Sequence, residues 1–78
     1  MTLYELVNNT TIQGDVYIQP YDKDGRELVG DGFSVKGTED LSGSCDGKDW
    51  VEEWEEWEVN YIYVNIHGVL VIEIQEEE

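Results

Sequence analysis

Apolar residues along this 78-residue chain change their spacing, from the three-and-four period of a helix at its start to the alternation of strands over much of the rest. Thr2 and Glu5 form a Thr-x-x-Glu capping box, which satisfies two free amides at a helix start, and the spacing predicts a short helix over Leu3 to Asn8. Leu3, Leu6 and Val7 share one stripe of it, placed to cover a sheet, while Asn8 and Asn9 favour a stop. From Thr11 to Tyr21, Ile12, Val16 and Ile18 alternate with Gln13, Asp15, Tyr17 and Gln19, the pattern of a half-buried strand. Gly14 marks a bulge or bend, and Pro20 a strand end or edge because it lacks a ladder donor.

Asp22-Lys23-Asp24-Gly25-Arg26 reads as a hairpin turn, with Gly25 free to take positive φ. It leads to a second strand over Glu27 to Val35, interrupted by Gly30 and Gly32, with Leu28, Phe33 and Val35 inward. Gly37 to Lys48 is rich in Gly, Ser and Asp and reads as a loop, with room for one turn around Thr38 to Leu41. Trp50, Trp54 and Trp57 then follow at helical spacing, with Asp49 as N-cap and Glu52 at its third position. The acidic pairs between the indoles repel one another in a helix, so the expectation is a helical turn giving way to strand near Trp57. Val59 to Val64 and Val69 to Ile74 form the arms of a second hairpin around Asn65 to Gly68. Burying both apolar patterns requires an α+β domain over residues 1–75, with the helix on a four-stranded, mainly antiparallel sheet of two hairpins joined by the acidic loop or turn. Residues 76–78 are expected as a solvated acidic tail.

Charge alters what such a domain is expected to meet. Nineteen Asp and Glu oppose four Lys and Arg, a formal net charge of −15. The excess is densest where Asp46, Asp49, Glu52, Glu53, Glu55, Glu56 and Glu58 interleave with Trp50, Trp54 and Trp57 against Lys48 alone. Hydrophobic content of 40% with nine aromatics is nevertheless too high for a disordered acidic tail. A single cysteine, Cys45, permits no internal disulfide and suits a reducing compartment. Without a basic region ahead of an apolar run, or any apolar stretch near bilayer length, neither export nor membrane insertion is expected, and a cytoplasmic protein is.

Candidate chemistry is sparse. Asp22-x-Asp24-Gly25 resembles the start of a calcium loop but has its glycine fourth rather than sixth, so a hairpin turn is the better reading. His67, Cys45 and Ser44 lie in turns or loops that nothing brings together, and no zinc cluster or phosphate loop is present, so no enzyme activity, cofactor or metal is expected. Direct nucleic-acid binding is disfavoured because phosphates require clustered Lys and Arg. Imitating nucleic acid is the opposite case. A chain of this mass exposes ~4,800 Å², or one excess charge per ~320 Å², against roughly one per ~110 Å² for duplex DNA. If the acidic segment spans about a fifth of the surface, its local density rises to roughly one charge per ~160 Å².

Two readings stay open at this point: a charge that only keeps an aromatic-rich domain soluble, and a surface for a basic partner formed by Asp46, Asp49, Trp50, Glu52, Glu53, Trp54, Glu55, Glu56, Trp57 and Glu58. The tryptophans belong to a core or lid if buried, and are interface anchors if exposed.

Met1-Thr2-Leu3, Thr10 to Gly14, the Asp22 to Gly25 turn, Trp57-Glu58-Val59 with Tyr61-Ile62-Tyr63, and Leu70 to Ile74 together resemble small acidic proteins carried by phages and mobile elements of gut bacteria. The matching motifs are structural and bring no catalytic residue with them. The resemblance implies a bacterial host cell and a non-enzymatic inhibitor or DNA mimic of the anti-CRISPR kind, whose partner is a basic nucleic-acid-binding protein such as a CRISPR effector. The alternative is a protein-protein interaction module, in which an exposed sheet edge pairs with another strand or with itself as a homodimer.

Overall fold

The computed structural model of the chain describes residues 1–10, 12, 14–35 and 53–77. The expected loop over Gly37 to Lys48 and the helix start at Asp49 lie outside them, as do Asp46, Trp50 and Glu52. The order of elements is α1 (Leu3–Asn9), β1 (Val16–Tyr21), β2 (Phe33–Val35), β3 (Glu58–Val64) and β4 (Leu70–Gln75), an α+β class.

Helix α1 starts as the capping box dictates. Thr2 Oγ1 accepts from the Glu5 amide at 3.2 Å, and the Glu5 carboxylate accepts from the Thr2 amide at 3.0 Å. The helix runs one residue further than the pattern predicts, because the Asn9 side chain donates to the Glu5 carbonyl and the Thr10 amide to that of Leu6. Its stripe of Leu3, Leu6 and Val7 is buried on the sheet against Val16, Ile18, Val35, Ile72, Ile74 and Trp54.

The sheet has strand order β2-β1-β4-β3. Both outer pairings, β1 with β2 and β4 with β3, are antiparallel, whereas the central pair β1 and β4 is parallel, with Val16 opposite Leu70 through Tyr21 opposite Gln75. The sheet is therefore mixed, though mostly antiparallel. Its two middle strands carry Ile18, Ile72 and Ile74, which are fully inaccessible to solvent. The parallel pairing brings the ends of β1 and β4 to the same side of the molecule.

Three expectations need correction. Strand β1 begins at Val16, not Thr11, since the chain bends at Gly14. Pro20, placed at a strand end or edge, is next to the end of β1 but in a central strand and buried, so the edge alternative falls. The second strand is only Phe33–Val35: beyond a bridge between Tyr21 and Glu27, residues 29–32 loop out before pairing resumes at Phe33 opposite Ile18. That loop packs closely on β1, since a Cβ placed on Gly32 would stand 2.0 Å from the Tyr17 hydroxyl. Ahead of β3, Glu53 and Trp54 are helical and the strand begins at Glu58. In the tail, the Glu76 amide still bonds the Tyr21 carbonyl, while the side chains of Glu76 and Glu77 are exposed.

Candidate interaction surfaces

The parallel centre of the sheet decides where charge accumulates. Because β1 and β4 end side by side and β3 starts opposite Gln75, the 22–27 turn, the 53–58 segment and residues 76–77 converge at one end. Helix α1 starts there too: the Leu3 amide bonds the Trp57 carbonyl, the Tyr4 amide bonds that of Glu55, and Thr2 bridges Glu58. That end gathers Glu5, Asp22, Asp24, Glu27, Glu53, Glu55, Glu56, Glu58, Glu76 and Glu77, facing Lys23, Arg26 and the terminal amine. The described carboxylates elsewhere are Asp15, Asp31 and Glu73. Over the whole accessible surface of 4924 Å², the net charge averages one per about 330 Å², and most of the described carboxylates lie at this one end.

Electrostatic coupling inside the cluster is direct. The Met1 ammonium pairs with Glu58 and has its pKa raised, first by that hydrogen bond and further by the charges of Glu5 and Glu77. Glu58 is in turn held below the usual carboxylate range, chiefly by its bond to the amine.

Of the residues expected to meet a partner, Glu53 and Glu56 are exposed, and Glu55 and Glu58 half-buried. Trp54 is a core residue, one of the two alternatives its sequence position left open. It is only 7% exposed, its ring stacks on Phe33 at 6.4 Å and meets Trp57 edge-on at 4.5 Å, and Trp57 is half-buried against the same cluster. Trp54 and Trp57 thus hold the acidic turn to the domain, and Glu53 and Glu56 are the carboxylates exposed at this turn. Asp46, Asp49, Trp50 and Glu52 lie outside the described residues.

Two further surfaces escape a reading centred on charge. Strand β3 is an edge strand whose Ile62 and Val64 are exposed, and Ile66 in the following turn is 96% exposed. Among the described residues, its outer edge is covered at the start, where the Val59 amide bonds the Met1 carbonyl at 2.7 Å.

The second surface is the sheet face opposite α1. Alternation sends Tyr17, Gln19 and Tyr21 of β1, Glu73 and Gln75 of β4, and Tyr61 and Tyr63 of β3 to this face. The Tyr63 hydroxyl donates to Glu73 Oε2 at 2.6 Å, which pushes its pKa up to about 12. Burial first, then Glu73 and Glu27, raise that of Tyr21. Between Val59 and Tyr61 the register shifts, and the extra residue Asn60 donates to Gln75 Oε1. Beside this bulge lies an open pocket of about 230 Å³ lined by Tyr21, Gly25, Asn60, Tyr61, Glu73 and Gln75. The signal for it was present in the alternation of tyrosine with Ile and Val, but its convergence depends on strand order, which alternation does not encode.

Among the described residues, no group of three or more His, Cys, Asp or Glu could hold a metal ion, and no helix is long and apolar enough to cross a membrane. Comparison with known protein families, characterised proteins and solved structures finds no match to this chain.

Proposed function

We propose that this protein is a non-enzymatic acidic inhibitor that docks its carboxylate-rich end onto the basic, nucleic-acid-binding surface of a protein partner. The observation that carries this reading is the convergence of the 22–27 turn, the 53–58 segment and residues 76–77 at one end of the sheet. Charge kept only for solubility has no need of a single end. A concentrated negative field steers encounter with a groove lined by Lys and Arg and competes there with phosphates. The resemblance to acidic phage proteins directs the search for the partner to defence nucleases of bacterial hosts, CRISPR effectors among them.

The test is capture of such a nuclease from host lysate by tagged protein, followed by affinity measurement at rising salt and with competing DNA. Affinity should fall steeply with salt, as screening shortens the reach of exposed charges, and DNA should displace the protein. Replacing Glu53, Glu56, Glu76 and Glu77 by Gln should weaken binding by about tenfold or more, each exposed charge contributing a fraction of a kcal/mol, with thermal stability retained. Unchanged affinity in this variant rejects the acidic end as the contact.

A second reading has its own observation in the exposed apolar edge of β3, where Ile62 and Val64 leave a strand open to pairing with another chain. Association that persists at high salt and is lost on Ile62→Lys favours this module over the decoy.

A further inference from the structure

The pocket on the open sheet face has a chemistry different from that of the acidic end. It is lined by Tyr21 and Tyr61, by Glu73 and Gln75, and by Gly25 and Asn60. Glu73 Oε2 accepts from the Tyr63 hydroxyl, and the carboxylate also hydrogen-bonds the Tyr21 side chain, so it is fixed in direction between two tyrosines. A carboxylate has about four lone-pair sites, which leaves it capacity to accept from an incoming group. Gln75 is fixed as well, accepting from Asn60 and donating to the Lys23 carbonyl at 3.3 Å. Tyr61 is 65% exposed, which leaves its ring face open to a second planar group.

A volume of about 230 Å³ is smaller than the usual small-molecule site and suits one side chain. A carboxylate next to electron-rich aromatic faces selects a cation. Between the two cationic side chains, a guanidinium stacks on tyrosine and spreads planar donors toward several acceptors, whereas an ammonium is a compact, strongly hydrated point charge.

We infer that the Tyr21–Tyr61–Glu73 pocket receives an arginine side chain presented by a protein partner. The identity of that partner as a basic protein rests on the function proposed above, but the pocket is testable without it. The acidic end supplies long-range attraction, and the pocket supplies orientation through one side-chain contact.

The experiment is a titration of the isolated, isotope-labelled protein with N-acetyl-arginine methylamide and N-acetyl-lysine methylamide, read by NMR amide shifts. The expected result is saturable shifts centred on Asn60, Tyr61, Glu73 and Gln75, with the arginine probe binding more tightly. Tyr61→Leu, which keeps apolar bulk but removes the ring face, and Glu73→Gln, which keeps the shape, should each weaken it about threefold or more. Glu53→Gln with Glu56→Gln should leave it unchanged. Shifts spread over all exposed carboxylates, equal response to the two probes, or undiminished binding by Tyr61→Leu would each overturn the assignment. Free arginine binding as tightly as an arginine-containing peptide supports the side-chain reading, and free arginine binding while the peptide does not overturns it in favour of a metabolite site. If the acidic-end variant loses the captured partner while the probe fails to bind, the decoy stands and the pocket falls; the converse result separates them the other way.

Discussion

The side-chain amide of Gln19 donates to the Leu28 carbonyl at 3.2 Å, in the place where Pro20 has no N–H to give. Pro20 and Leu28 face each other across the extension of the β1–β2 pair, and the Leu28 amide bonds the Pro20 carbonyl at 3.0 Å. In an antiparallel pair of this kind the partner's amide would return the second bond. Gln19 Nε2 also reaches the Pro20 carbonyl at 3.0 Å and is only 7% exposed, so one buried side chain replaces the missing donor and makes proline tolerable in a central strand. Gln19→Leu should cost about 1–3 kcal/mol by leaving the Leu28 carbonyl unpaired, against a total stability of roughly 4–12 kcal/mol for a chain this long. Restoring the backbone donor with Pro20→Val should shrink that cost in the double variant. Additive costs in chemical denaturation would show that Gln19 does not act through this carbonyl.

Both hairpins close through one local device. Asp22 Oδ1 accepts from the amides of Asp24 and Arg26, each at 2.9 Å, and Asn65 Oδ1 accepts from those of His67 at 2.9 Å and Val69 at 3.1 Å. Gly25 and Gly68, three residues on, both take positive φ, at 84° and 77°. Asp22→Ala and Asn65→Ala should each lower stability by about 1–2 kcal/mol through the loss of these bonds. Asp22→Asn should be nearly silent, because only the acceptor oxygen is used. The same use of Asp22 accounts for a calcium-like Asp-x-Asp-Gly that is a turn, and a calcium titration should leave the melting temperature unmoved.

These two turns show what the sequence made legible and what it did not. Each could be read where it stands, because Asx and Gly act within five residues. The capping box of Thr2 and Glu5 and the β3–β4 hairpin were legible for the same reason. The break of β2 before Phe33 was not, since it depends on how residues 29–32 pack over Tyr17 across the sheet. Nor was the parallel register of Val16 with Leu70, which joins residues far apart in the chain and which no local pattern encodes. The acidic segment was visible as composition, whereas the approach of its residues 53–58 to Glu76, Glu77 and the 22–27 turn follows only from that register.

Trp54 and the carboxylates beside it make separable contributions. Trp54→Ala removes a buried ring that contacts both Phe33 and Trp57 and should cost about 3–5 kcal/mol, enough to unfold much of the population. Trp54→Phe should retain the fold with a smaller loss and change the tryptophan emission that the Trp54–Trp57 contact shapes. Glu53→Gln and Glu56→Gln, by contrast, relieve like-charge repulsion in the turn and should leave the melting temperature equal or raised. A melting temperature that falls with Glu53→Gln would mean that this carboxylate holds a structural bond, and that its proposed role toward a partner cannot be isolated by mutation.

Alkaline pH offers a check on the open face. Tyr63 titrates at about 12 because its hydroxyl donates to Glu73, and Tyr21 is raised by burial and by the same carboxylate. A folded-state pKa above the unfolded value of 10 means that the folded protein holds these protons more tightly. Their contribution is therefore complete below pH 10 and is lost as pH rises above it, for Tyr63 from about 10 to 12. Ultraviolet titration of the five tyrosines should show a late component near pH 12 that disappears in Tyr63→Phe. It should move earlier in Glu73→Gln, where the acceptor remains but its charge is gone. A single transition near pH 10 in the wild-type protein would mean that Tyr63 and Glu73 are not bonded in solution, and would leave the pocket without the fixed carboxylate on which arginine recognition depends.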